Sequence, residues 1–264
     1  KMNNNATDQI NIEIMSCIRD VNHPRTFMKR VITLKTLRCL VIGSMGSPFL
    51  DDIKTTLVDS QIGPDNIVLI NGDISTPSLD LLFPFDIIFL FTHYQFESSA
   101  KISEYLTKYA TERGGGIVIA YGFMRNDEWG CGESDLLKLM PFTRGPRSSD
   151  SETVKYTIRV NESCCDKPDI KTFCDKIQQI SSIVINQFSP RAHVNVANKA
   201  KLIAEYNDGI PFIAYKEIPN SDSKFVGLNY YPITDRVHPY GYNPNYPIAH
   251  LLSEAIKFAV GITD

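Results

Sequence analysis

The residues of this chain best able to do chemistry gather in one polar stretch, FMRNDEWGCGES, which carries the single tryptophan, Trp129, and a cysteine, Cys131. A thiol becomes a catalytic nucleophile when a base takes its proton and a third group orients the base. The set that could supply this is Cys131 with His93 as base and Asp127, Glu128 or Glu133 as orienter. The same acids argue against it, because negative charge beside a thiol disfavours the thiolate. His93, His238 and a carboxylate could hold a metal, yet no H-x-H or H-x-x-H spacing accompanies them, and loop or core histidines are the plainer assignment. No metal and no cofactor is expected. The loop GSMGSP is neither a G-x-G-x-x-G turn nor a G-x-x-x-x-G-K phosphate loop. Trp129 with Tyr230, Tyr231, Tyr240, Tyr242 and Tyr246 could form an aromatic platform for a sugar or a peptide, the alternative being a loop packed over a sheet edge. Arg144 and Arg147, set among prolines and serines, read as a solvated loop.

The elements that must position these groups are clearest between Ile102 and Gly122. Ile102, Tyr105, Leu106 and Tyr109 recur at helical spacing. Gly114, Gly115 and Gly116 then stop the helix, because glycine tolerates a left-handed C-terminal cap. The apolar run IVIAY follows, as in a strand buried on both faces of a parallel sheet. Upstream, Leu37 to Ile42, Asn66 to Asn71 and Asp86 to Thr92 read as three more strands. Phe49 to Val58 reads as a helix, Ile74 to Pro84 as a short crossover, and Ser98 or Ser99 as the cap of the helix ending at Gly114. Strand and helix alternate four times, which predicts a parallel sheet covered by helices. Its ligand crevice would lie at the carboxyl ends of the strands: Gly43 to Ser47, Thr92 to Tyr94, Gly122 to Arg125 and the tryptophan loop, with Asn229, Tyr230 and Tyr231 joining if their strand enters the sheet.

Beyond Gly122 the alternation loosens. Asp135 to Met140 predicts a short helix, Phe142 to Glu152 an exposed loop, Thr153 to Val160 a strand and Pro168 to Ile180 a helix. The last third is β-rich. Asp208-Gly209 between AKLIAEY and IPFIAYKEI signals a hairpin, Lys224 to Pro232 a further strand, and Ile248 to Ala259 a closing helix with Gly261 past its end. Residues 1–36 read as an amino-terminal arm or linker, with a helix possible over Gln9 to Asp20, and residues 37–264 as one α/β domain. A chain beginning at Lys1 reads as part of a longer polypeptide.

Composition bounds the function only loosely. The 264 residues are 43% hydrophobic and 22% charged, ordinary values for a globular protein. The formal charge of −3 offers no global field for nucleic acid or an anionic membrane. No apolar run approaches the ~20 residues of a spanning helix, so membrane insertion is not expected. The six cysteines include no C-x-x-C pair; Cys39 reads as a small core residue, and a reducing, cytoplasmic setting is expected.

The phrases LRCLVIGS, FDIIFLFTHYQF, RGGGIVIAYG, KLMPF, KLIAEYNDGIPFIAYKE, KFVGLNYYP and AIKFAVG, in this order, span about Leu37 to Gly261. The series resembles the class I glutamine amidotransferase-like superfamily, within it the trehalose-utilisation (ThuA-like) branch. The resemblance implies a flavodoxin-like three-layer sandwich, with a mainly parallel sheet and added β-strands in the carboxyl-terminal third. Active amidotransferases of that superfamily place a cysteine in a G-x-C-x-G elbow and follow it with H-x-E. Here the elbow position after IVIAY holds Gly122-Phe123-Met124. Cys131 lies nine residues beyond Gly122 and is flanked two residues away by Trp129 and Glu133. His193, His238 and His250 are followed two residues on by Asn, Tyr and Leu. The familial triad is therefore absent.

The expectation is a non-catalytic binding or scaffold domain of a larger protein or assembly. Its partner would be a protein or a neighbouring domain, with a small polar ligand as a further option and no nucleic acid. Ser44, Tyr94, Gly122, Trp129, Asn229, Tyr230 and Tyr231 are the candidate binding residues. The competing expectation is a hydrolase or isomerase acting on a small polar molecule such as a sugar, with Cys131, His93 and Glu128 as the catalytic candidates.

Overall fold

The computed structural model describes residues 32–92, 94–120, 135–145, 157–166, 168–181, 191–239, 241–245 and 247–262. Thr33 to Thr36 close a hydrogen-bonded turn, and Ile32 and Leu34 pack on the core. The rest of the proposed arm, Gln9 to Asp20 included, lies outside the described residues.

The chain then runs β1 (Cys39–Ser44), α1 (Ser47–Asp59), β2 (Ile67–Asn71), α2 (Leu79–Leu82), β3 (Ile87–Thr92), α3 (Ser99–Lys108) and β4 (Gly116–Ile119). After β4 come α4 (Leu136–Leu139), β5 (Phe142–Arg144), β6 (Ile158–Val160), α5 (Pro168–Ser181) and β7 (Val194–Val196). The chain closes with β8 (Lys201–Tyr206), β9 (Pro211–Glu217), β10 (Lys224–Leu228) and α6 (Leu251–Val260).

Eight strands form one sheet in the order β2-β1-β3-β4-β10-β9-β8-β6. The neighbours from β2 to β10 pair in parallel; β9, β8 and β6 add antiparallel pairs. The β2-β1-β3-β4-β10 half has the flavodoxin-like order, in which the chain reverses direction between β1 and β3. Every residue of β1, β3, β4 and β10 is buried, as expected of strands covered on both faces. Cys39 is among them, and burial pushes its thiol up to about 12, which leaves it inert.

One face is covered by α6, which packs on β3, β4 and β10 and touches α5. There Phe258 stacks on Phe173 of α5 at 4.6 Å and meets Tyr215 edge-on at 5.1 Å. Tyr215 is the cross-strand neighbour of Val226, so Gly227 points to the opposite face. Phe142 fills the space beside Gly227, where a Cβ would come within 2.3 Å of its ring. This corrects the start of the exposed loop expected over Phe142 to Glu152: Phe142–Arg144 is a strand, paired antiparallel with β7, with Phe142 buried, while residues 146–152 lie outside the described residues. A strand of three residues is too short to show a period.

The helix α3 runs on through a wider turn, Tyr109–Arg113, before the glycines. Gly114 is the left-handed cap at φ 69°. Gly115 is not at positive φ; its lack of a side chain makes room for the Tyr109 ring. Ser98 occupies the N-cap position without making a side-chain capping bond. In the β8–β9 hairpin, Gly209 alone supplies the positive φ, at 86°.

Cys165 and Cys174 form a disulfide between the turn preceding α5 and α5 itself. The bond sits against the reducing setting expected above, where thiols stay unpaired. Closing a loop of this length is worth about 2.5 kcal/mol through the unfolded chain. Cys174→Ser should therefore lower the unfolding free energy by about 2 kcal/mol, read from urea titrations. An unchanged midpoint would mean that the bond carries no stability. No helix among the described residues is long and apolar enough to cross a membrane.

Candidate functional site

The reversal between β1 and β3 brings Ser44 and Thr92 side by side at the carboxyl ends of their strands. Both side chains are buried and their hydroxyls touch. Each is placed to donate to the carbonyl of Tyr94, and the Tyr94 amide donates back to Ser44 Oγ at 3.1 Å. A hydroxyl that donates to a main-chain carbonyl is holding a turn rather than being primed as a nucleophile. What it holds is the start of the loop after β3, which leaves the Tyr94 ring 54% exposed.

That loop crosses to the end of β2. The Glu97 amide donates to the Gly72 carbonyl at 2.7 Å, and the Glu97 carboxylate accepts from the Thr76 amide at 2.6 Å. Phe96 is buried against Gly72, where a Cβ would lie 2.4 Å from its ring. The two loops are thus one built rim. At its surface Ile74 is 73% exposed, more than any other large apolar side chain among the described residues.

The β10 end differs from expectation. Asn229 was a candidate binding residue, but its side chain is buried and used internally. It accepts from the Ala192 amide and donates to the carbonyls of Ala192 and Pro211, each at 2.8 Å. Its own carbonyl accepts from the Tyr206 hydroxyl. Tyr230 and Tyr231 are each 1% exposed, and Tyr242 is 2% exposed. They are core, not platform. Tyr230 packs against Phe212 and Tyr242, and burial raises its phenol well above the ordinary range. Tyr231 donates to Met45 Sδ at 3.7 Å and meets His238 edge-on.

A loop seals them in. Asp52 of α1, itself buried, accepts from both the amide and the hydroxyl of Thr234 at 2.7 Å. Thr56 of the same helix reaches the Tyr242 hydroxyl at 3.3 Å. His238 lies between Phe49 and Tyr231, and burial depresses its pKa. Sequence reasoning missed Asp52, Thr234 and Glu97 because their partners are 182 and 21 residues away.

Of the candidates, the structure brings Ser44 and Tyr94 together and buries Asn229, Tyr230 and Tyr231. His93, Gly122, Asp127, Glu128, Trp129, Cys131, Glu133, Arg147, Tyr240 and Tyr246 lie outside the described residues. Arg144 is exposed on β5. No group of three His, Cys, Asp or Glu among the described residues is arranged to hold a metal ion.

No family model matches the chain, and no curated protein matches it. Solved structures do. The cytoplasmic protein STM3548 from Salmonella typhimurium is similar with a TM-score of 0.60 at 14% identity, over 84% of this chain and 99% of that one. The cytoplasmic protein STM1381 from Salmonella typhimurium LT2 gives 0.53 at 12% identity, over 84% and 97%. A putative ThuA-like protein from Parabacteroides merdae gives 0.49 at 9% identity, over 84% and 88%. The first two likenesses show a shared fold, which extends over nearly the whole of both Salmonella proteins.

Proposed function

We propose that this chain is a non-catalytic binding domain that docks a protein partner, or a neighbouring domain, on the rim formed by the loops after β2 and β3. The observation that carries this is the exposure of Ile74 and of Tyr94, each on a loop pinned by the Ser44, Thr92 and Glu97 bonds. An exposed isoleucine and an exposed tyrosine on hydrogen-bonded loops offer apolar contact area and a polar tip at little ordering cost. The buried Asn229, Tyr230 and Tyr231 support the same reading, since side chains committed to the core do not converge on a substrate.

The test is the Ile74→Asp/Tyr94→Ala variant, used as bait in the source cells alongside the unaltered chain. Removing an aromatic anchor costs about 2 kcal/mol, roughly thirtyfold in affinity. Proteins retained by the unaltered chain should be lost by the variant while its melting temperature stays within a few degrees. Cys131→Ser should retain them. Equal retention by the rim variant would reject this reading, and a turnover abolished by Cys131→Ser would favour the hydrolase or isomerase class.

A further inference from the structure

At the opposite end of the sheet, where β9 finishes beside the start of β10, lies a cavity of about 680 Å³. Its size is that of a small-molecule site. Leu137 and Leu139 of α4, Ala197 after β7, and Lys138, Lys199 and Lys216 are among its lining. The cations are not equivalent. Lys138 pairs with Asp135 at 2.5 Å. Lys201, also in the lining with Tyr215 and Glu217, pairs with Glu217 at 3.0 Å and lies over the Tyr215 ring, on the face that Tyr215 and Glu217 share. Lys216 alternates to the other face, where its ammonium donates to the Lys138 carbonyl.

Neither Lys199 nor Lys216 has a carboxylate within ion-pair reach among the described residues. Burial and the Lys199 charge together push Lys216 below the ordinary lysine range. The one carboxylate of the lining, Glu217, is thus already paired with Lys201, and Lys199 and Lys216 face the cavity without an ion-pair partner among the described residues. Lys199 is also one of three non-glycine residues at positive φ among the described residues, at 64°. Beside these cations Leu137 is 41% exposed.

We propose that this cavity binds a small soluble amphipathic anion, its phosphate or carboxylate between Lys199 and Lys216 and its apolar body on Leu137, Leu139 and Ala197. An anion placed there removes the repulsion between two ammonium groups and gains charge-assisted hydrogen bonds. The site is independent of the β2–β3 rim and does not rest on the function assigned to it.

The test is calorimetric titration with monomeric n-octyl phosphate, with inorganic phosphate and neutral n-octyl glucoside as comparisons. Octyl phosphate should bind at one saturable site, inorganic phosphate more weakly, and octyl glucoside weakest of all. Lys199→Asn, which suits the positive φ, and Lys216→Gln should each weaken octyl phosphate by about tenfold, the value of one charged hydrogen bond. Lys216→Arg keeps the charge and should keep binding. Octyl glucoside binding as tightly as the phosphate, no saturable binding, or an affinity for octyl phosphate in both neutralised variants equal to that of the unaltered chain would overturn the proposal.

Discussion

Gly115→Ala will cost this fold about 3 kcal/mol, and Gly115→Val more, although the main chain at Gly115 is open to any residue. The cause is Tyr109. A Cβ at Gly115 would sit 2.0 Å from the Tyr109 hydroxyl oxygen and 2.1 Å from the ring carbon bearing it. The ring cannot swing away: it is fully buried, and its hydroxyl donates to the Phe85 carbonyl at 3.2 Å. Burial also raises its pKa, so the phenol stays neutral. Gly209→Ala is the control. That glycine has φ 86° and nothing within 4 Å of an added Cβ, so Ala there meets only the strain of the left-handed backbone, about 1 kcal/mol. Urea unfolding of both variants separates collision from conformational strain. Replacing Tyr109 by Leu should narrow the penalty at Gly115 in a double-mutant cycle. Equal costs at Gly115 and Gly209 would show that the ring accommodates the methyl group.

Asn229→Ala is expected to destabilise by about 3 kcal/mol, lowering the melting temperature by roughly 6–12 °C for a chain of this size. The substitution strands the Ala192 amide, the Ala192 carbonyl and the Pro211 carbonyl in a buried place. Unsatisfied groups of this kind cost more than the bonds that served them were worth. Asn229→Asp should be no milder, because a carboxylate cannot donate to either carbonyl and would be buried with its charge. A site residue would behave differently, sparing the melting temperature and weakening a ligand. An unchanged thermal transition in Asn229→Ala would return Asn229 to the binding candidates.

These residues show where the sequence was legible. The strands β1, β3 and β4 are apolar runs set off by turns, and α3 ends at Gly114; both signals are local and survive folding. The parallel pairing followed from alternation, and the flavodoxin-like arrangement from the family resemblance. Asn229, Tyr230 and Tyr231 were misjudged because tyrosines at a strand end look the same in sequence whether they face solvent or lie under a loop. Their burial is decided by Asp52 gripping Thr234, a contact with no local signature. The identity of β5 likewise depends on a distant fit, Phe142 into the gap left by Gly227. The Cys165–Cys174 bond was open to the even cysteine count but not selected by it, since spacing alone fixes no pairing. The rim was half legible. Tyr94 was a candidate from its place after β3, while Ile74 sat in a crossover whose proline and leucine content gave no hint of exposure.

The proposed function is a docking surface with no nucleophile that turns over, and the alkylation rate of Cys131 by iodoacetamide at pH 7 tests it directly. An unactivated thiol, with a pKa near 8.5, is only a few per cent thiolate there. A rate no greater than that of a free cysteine peptide is expected, and the same rate in His93→Ala. A rate about tenfold or more above the peptide, lost in His93→Ala, would contradict it.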